Sequence, residues 1–447
     1  MQLAQLKERI CQAIEARRDD IVALGEDILR HPELGFKEHR TAGLVAELFR
    51  SLGIPTETGV AVTGVIGRLS GSGHGATVAY MGELDSVLVH GHPFEDRETG
   101  AAHACGHHAQ IANLVALAYG LVESGAMDEL DGDVLLMAVP AEEFVEIDYR
   151  LSLRDQGTIR FLGGKQELIR LGALDAVDVV LSTHQGARVE GGSFSAGGAC
   201  NGCVVKRVRY QGKAAHAGGA PHQGINALAA ATVALHAIDA NRETFRDDDH
   251  IRVHPIMTRG GDLVNVIPSD ARLEMYVRGA STEAIAAAAK RVDRALVAGA
   301  LALGAEAEIE SIPGYQPRQP CSELARLYQG EAVALVGEEG WWDSGFGAGS
   351  TDLGDVSLLM PVLEAVANGC RGTGHGADFM VHDPDLAYVL PGKVAGRSVA
   401  ELLANNAARA RAIAEAYQPP MTRETYLEHM ASQEVLYRWR PGLPAGE

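Results

Sequence analysis

The sequence predicts an α/β protein built on a mostly parallel sheet, with a smaller α+β domain inserted in the chain. Three observations predict it. Strand-like apolar runs alternate with helical patterns through the first 190 residues, as in "ATVAYMGE", "QIANLVALAYGLVESG", "GDVLLMAVPAEE" and "AVDVVLSTHQG". From about residue 195 the order becomes β-α-β-β-α-β, the plan of a split-βαβ sandwich. At 447 residues the chain also exceeds what one hydrophobic core usually supports. The expected organisation is a discontinuous larger domain, 1–194 with 312–447, and an inserted domain, 195–311.

The elements follow in order. Residues 1–52 read as two amphipathic helices around the Pro-containing break "RHPELGFKEHRTAG". "GVIGRLSGSGHGATVAYMGELDSV" reads as a hairpin-like pair of strands joined by a Gly-rich turn, with "MGELDSV" as a strand end. "AAHACGHHAQ" (101–110) reads as an extended loop before an apolar helix, and strands follow at "GDVLLMAVPAEE" and "AVDVVLSTHQG". The stretch "FVEIDYRLSLRDQGTIRFLGG" (144–164) is either a wall or lid of a pocket, with Tyr149, Arg150 and Arg154 as contacts, or an ordinary surface excursion. In the insertion, "VVKRVRYQGKAAHAG" is followed by a helix at "INALAAATVALHAIDAN", strands in "HIRVHPIMTRG" and "ARLEMYVRG", and a helix at "TEAIAAAAKRVDRALVAGAL". After "SIPGYQPRQP" the chain resumes with helices and the loops "SGFGAGSTDLGDVS" and "RGTGHGADFMVHDP".

Composition narrows the function classes. Hydrophobic residues make up 46% and glycines number 52, a globular rather than a disordered or fibrous composition. A formal net charge of -20 argues against nucleic-acid and anionic-membrane partners, both of which need a basic surface. No window approaches the ~18 apolar residues of a membrane span, and "MQLAQLKERICQAIEARRDDIVAL" lacks the apolar run of a signal peptide. The expected location is cytoplasmic. Six scattered cysteines suggest no disulfide scaffold, and Cys200-Asn201-Gly202-Cys203 lacks the second pair of a zinc knuckle.

Residues 103–108 hold three histidines and a cysteine. Further donors stand at predicted strand-to-loop transitions: Glu142 and Glu143 after "AVP", His184 after "VVLST", and His375 in "GTGHG". Each alone reads as a structural histidine or a solvated carboxylate pair. Thiolate, imidazole and carboxylate placed together suit zinc or another divalent first-row ion.

The order of motifs carries a resemblance. "HPELGF" (31–36), "GELDSV" (82–87), "HACGHH" (103–108), "PAEE" (140–143), "GKAAHAGGAPHQGINAL" (212–228), "NVIP" (265–268) and "GSTDLGDVS" (349–357) together resemble the M20 family of metallopeptidases. Within it they resemble the amidohydrolase branch of aminoacylases, auxin-conjugate hydrolases and aminobenzoyl-glutamate hydrolase. The resemblance implies that Cys105, His107, Glu143, His184 and His375 bind metal, Zn or Mn. It implies that Glu142 is the general base, that Asp85 orients the site, and that His216 of the inserted domain helps hold the substrate's oxyanion. It implies that this domain is a lid, hinged near 190 and 312, and an oligomer contact. Asn265 and Arg371 are candidate substrate contacts, Arg371 for a substrate carboxylate.

The departures qualify this. Where the branch continues CGH with Asp and often a second His, this chain has His108 and Gln110, which favours one ion over two. His108 is expected to face away from that ion, either toward the substrate pocket, as a candidate substrate contact and proton donor to the leaving amine, or behind the metal ligands in a supporting role. Glu83 stands where many relatives outside the branch have a metal-binding His. The expected activity is metal-assisted hydrolysis of a C–N bond in a small carboxylated molecule, an N-acyl or N-aroyl amino acid. Two alternatives stay open: an aminohydrolase releasing ammonia from an electron-poor aromatic amine, of the 5-nitroanthranilate type, and a non-catalytic relative using Cys105 as a redox or metal-binding thiol.

Overall fold

The structure, a computed structural model, describes residues 2–73, 75–187 and 191–442. His74 of the Gly-rich turn and Glu190, near which a hinge was expected, lie outside the described residues. The chain divides into two compact units: 1–199 with 319–346 and 355–423, and 200–318 with 347–354 and 424–447. Relative to the ranges expected from sequence, the second unit starts and ends a few residues later and also takes in 347–354 and the C-terminal segment.

The first unit is built on a seven-stranded sheet. Its spatial order is Thr56–Val60, Gly64–Ser70, Gly132–Val139, Ala76–Glu83, Val179–Gln185, Val362–Ala367 and Phe194–Ala196. The four central strands from Gly132–Val139 to Val362–Ala367 run parallel to one another, and the outer three pair antiparallel. The expected hairpin between Gly64–Ser70 and Ala76–Glu83 does not form, because Gly132–Val139 lies between them. This strand is apolar on both faces and buried almost throughout, so it needs neighbours on both edges. The actual hairpin joins Thr56–Val60 to Gly64–Ser70.

Helix His107–Glu123 is buried nearly all round, consistent with its lack of a polar face. Gly82 allows strand Ala76–Glu83 to approach it, since a Cβ there would lie 2.9 Å from the Gln110 carbonyl oxygen. The N-terminal region forms three helices rather than two, Gln2–Ala16, Arg18–Leu29 and His39–Ser51. The chain re-enters a helix directly after Arg17, and the Pro-containing break separates only the second from the third.

The second unit is a five-stranded antiparallel sheet ordered Arg252–Arg259, Asp270–Gly279, Gly202–Gln211, Glu306–Pro313 and Val435–Trp439. Helices Ala227–Asn241 and Thr282–Leu303 supply its core through small and branched residues such as Ala230, Ala234, Ala288, Val292 and Leu296. The C-terminal strand Val435–Trp439 was not expected; it pairs with Glu306–Pro313 in register from Ala307 opposite Trp439 to Ser311 opposite Val435. It covers one sheet edge, whereas the outer edge of Arg252–Arg259 pairs with no strand among the described residues. No helix of the described residues is long and apolar enough to cross a membrane.

Candidate metal centre

The donor groups converge at the carboxyl ends of the parallel strands, where an open α/β sheet collects its functional groups. Cys105 Sγ lies 3.4 Å from His184 Nε2 and 3.3 Å from His375 Nε2, and His375 Nε2 lies 3.0 Å from Glu143 Oε1. Cys105, His107 and His184 form one triad with all donor atoms within 4.8 Å of each other; Cys105, Glu143 and His375 form a second. The thiol is common to both.

Local conformation explains this convergence. Gly106 has φ +90, and a Cβ there would lie 2.6 Å from Gln185 Cβ, so the reversal between Cys105 and the helix requires glycine. His107 and His108 are therefore the first residues of a helix, not part of an extended loop. Successive side chains on a helix diverge by about 100°. His107 turns to Cys105, while His108 is buried beside His103 and Tyr388, with ring centroids 5.3 and 5.8 Å away. Burial lowers the His108 pKa to about 3, which disfavours the protonated form that the expected role as proton donor to a leaving amine would need.

Neighbouring groups orient the ligand candidates. His107 Nδ1 lies 2.9 Å from the Asp85 carbonyl oxygen and 3.3 Å from Asp85 Oδ1, which turns Nε2 into the site. His184 Nδ1 lies 2.9 Å from the Gln185 carbonyl oxygen, again leaving Nε2 for a metal. Asp85 also accepts a hydrogen bond from the Glu143 amide at 2.8 Å, so one carboxylate links both triads. Glu142 Oε2 is 4.0 Å from His107 Nε2 and belongs to neither triad, although it groups with Glu83 and His107.

Glu83 is bound more tightly than its sequence context suggests. Its Oε1 accepts from buried Lys165 Nζ at 2.6 Å; Oε2 accepts from Gln110 Nε2 at 2.5 Å and lies 3.0 Å from His107 Nε2. Lys165 was missed because a lone lysine in "GGKQEL" reads as surface. Gly164 places it: a Cβ there would lie 1.7 Å from the Pro140 carbonyl oxygen, so only glycine lets this helix start so close to the strand end. Glu38 was missed as well. It is fully buried, accepts from the Ala141 amide at 2.8 Å and from Thr63 Oγ1 at 2.5 Å, and burial beside Asp85 raises its pKa to about 7.

The charge states of Glu143 and His184 suit a cation, whereas Cys105 and His107 hold protons that it would displace. Burial opposes ionisation of Glu143, but its pairing with His375 brings it down to about 2; burial lowers His184 to about 4, leaving it neutral. Burial and the adjacent Glu143 push the Cys105 thiol well above its usual range. For His107, burial is outweighed by Glu83 and Cys105, which raise its pKa. A metal ion would have to displace protons from both Cys105 and His107. Metal affinity should therefore fall with falling pH, by about tenfold per pH unit for each proton displaced. Calorimetric titration with Zn or Mn at several pH values checks this; a pH-independent affinity with no proton release would contradict it.

The remaining candidates lie elsewhere. Arg371 is exposed on the two-residue strand that leads to the His375 turn. His216 and Asn265 belong to the second unit, where His216 bridges Val266. His216 Nδ1 accepts from the Gly218 and Gly219 amides at 3.2 and 3.0 Å, so neutral His216 carries its hydrogen on Nε2. Arg150 is wholly buried, and its guanidinium bonds main-chain carbonyls. Its expected contact with substrate is withdrawn on that ground.

Comparisons with known proteins give the family. The peptidase dimerisation domain of the M20 family matches residues 202–302. The chain is 30% identical over 325 residues to thermostable carboxypeptidase 1 of Saccharolobus solfataricus, covering 70% of this chain and 77% of that protein. It is 26% identical to the N-acyl-L-amino acid amidohydrolase of Geobacillus stearothermophilus, over 75% and 87%. A solved structure from Bacillus subtilis, YXEP, a dinuclear metal binding peptidase from the M20 family, superposes with a TM-score of 0.64 at 21% identity, over 87% of this chain and 99% of that one. Fold and relatives together define a metal-dependent hydrolase acting on C–N bonds. The chain belongs to the M20 family, as an amidohydrolase of amide or peptide bonds.

Proposed function

We propose that the protein hydrolyses the amide bond of N-acyl or N-aroyl amino acids. Cys105, His107 and His184 would hold one divalent ion, and Cys105, Glu143 and His375 a second. The observation that carries this reading is the placement of Cys105 in both triads, with Glu142 beside but outside them. It is preferred to the single ion favoured from sequence: that reading took His108 and Gln110 as missing ligands, whereas Cys105 could serve both donor groups. The donor set of thiolate, imidazole and carboxylate fits zinc or manganese. Such ions supply acidified water and a polarised carbonyl.

The side chains account for the remaining steps. Glu142 accepts a proton from the attacking water on its carboxylate and returns it to the departing amine nitrogen. Asp85 fixes the His107 ring and the Glu143 amide, so the two triads keep their geometry during turnover. Exposed Arg371 offers a guanidinium to the substrate's carboxylate. No observation favours displacement of an aromatic ring amine.

The test is turnover of the metal-loaded protein on a panel of N-acyl amino acids, N-aroyl amino acids, dipeptides and amides without a carboxylate. Release of free amino acid from the first two classes supports the reading. Cleavage of dipeptides alone, or release of ammonia in place of an amino acid, would overturn it.

We also propose that the chain forms homo-oligomers through strand Arg252–Arg259, whose Ile256 and Met257 are exposed next to exposed Leu263 and Val264. The match of 202–302 to a dimerisation domain supports this. Light scattering should report an oligomer, and substitution of Ile256 by Lys should shift it to monomer. A monomeric native protein would contradict it.

A further inference from the structure

The segment 144–164 begins one residue after a ligand candidate and contains helix Ile147–Asp155. We propose that it is a brace rather than a lid: Arg150 is a positioning residue that holds the turn carrying Glu142 and Glu143 in a strained conformation. The proposal rests on the roles assigned above to these two carboxylates.

Ala141, directly before Glu142, has φ +52, a left-handed conformation disfavoured for a residue with a Cβ. Strain of this kind persists where surrounding groups over-determine the backbone. Here the Ala141 amide donates to Glu38 Oε1 at 2.8 Å, and its carbonyl accepts from the Gly164 amide at 3.1 Å. The Glu143 amide donates to Asp85 Oδ2 at 2.8 Å. Arg150 joins the two ends of the turn: Nη2 donates to the Glu143 carbonyl, and Nη1 approaches the Ala141 carbonyl at 3.5 Å. Glu142 is the residue between them. Nη1 also donates to the Leu162 carbonyl at 2.7 Å, tying the far end of the segment to the same group.

The space for this guanidinium is built into the fold. It is fully buried, and its carbon lies 5.4 Å from the Phe36 ring centroid and 5.9 Å from that of Phe144. A Cβ on Gly35 would lie 2.3 Å from Nη2, so the glycine of "HPELGF" makes room for it. A planar fork can reach three carbonyls on different residues at once; a lysine ammonium on a flexible stem holds such an arrangement poorly. Burying a cation is costly, and an apolar side chain of similar length would fill the space without that cost. The carbonyls it aligns account for an arginine at this position, and two of them flank the proposed general base.

Arg150→Met and Arg150→Lys test this, each as metal-loaded protein at a temperature where circular dichroism shows it folded. For Arg150→Met, kcat per folded, metal-loaded chain should fall about 100-fold, the effect of misplacing a reacting group by ~1 Å. KM should stay within about threefold, because substrate contacts are untouched. Metal binding should become about tenfold weaker, because the Glu143 carbonyl loses its anchor. Arg150→Lys should fall between native and Arg150→Met. A kcat within twofold of native together with unchanged metal dissociation in Arg150→Met would overturn the proposal. If Arg150→Met does not fold, the same result in Arg150→Lys overturns it. Metal dissociation reads Glu143 without any substrate, so an incorrect substrate class leaves that arm of the test intact.

Discussion

Glu142→Gln is expected to lower turnover by about 10²–10⁴ while both ions stay bound, the range for loss of a positioned general base. Glutamine has nearly the shape of glutamate, and its amide oxygen can still accept a hydrogen bond from water, but it cannot take up the proton. Glu142 lies outside both triads, 4.0 Å from His107 Nε2, so its loss should spare the donors. Metal analysis of the purified variant, alongside kcat and KM, separates the roles. Loss of an ion on substitution would instead place Glu142 among the ligands with Glu83 and His107, a grouping the geometry also contains.

Cys105→Ala is expected to remove both ions and, with them, turnover by several orders of magnitude. Cys105 is the only donor common to the two triads, and without it each retains two protein donors. Substitution of His184 should differ, weakening one ion and leaving the Cys105, Glu143 and His375 set intact. Metal content by mass spectrometry after dialysis checks both. One ion retained at full occupancy in Cys105→Ala would show that the thiol belongs to a single site.

The donor residues were legible in the sequence because catalytic groups of a parallel sheet gather at strand ends, and strand ends are marked by an apolar run that stops. His184 closes "VVLST" and Glu142 follows "LLMAVP", and both fall where that rule places them. Strand order was less legible. Local pattern cannot say that Gly132–Val139 inserts between Gly64–Ser70 and Ala76–Glu83, since the two pairings bring together residues more than 50 positions apart. The strand Val435–Trp439 was hidden for a related reason: its partner lies well over 100 residues earlier. The extended reading of the histidine loop failed at Gly106, whose positive φ lets a helix begin directly after the cysteine. Arg150, Lys165 and Glu38 were misread or missed because charged residues are mostly exposed. What buries these three is the carbonyl, carboxylate or amide each one serves, and those partners come from other segments of the chain.

The most direct test of a centre organised by one thiol is an anomalous-scattering map of crystals soaked or grown with zinc or manganese. Two peaks are predicted, both within coordination distance of Cys105 Sγ, one also contacting His107 and His184 and the other Glu143 and His375. A single peak, or two peaks of which one does not touch Cys105, would contradict the account.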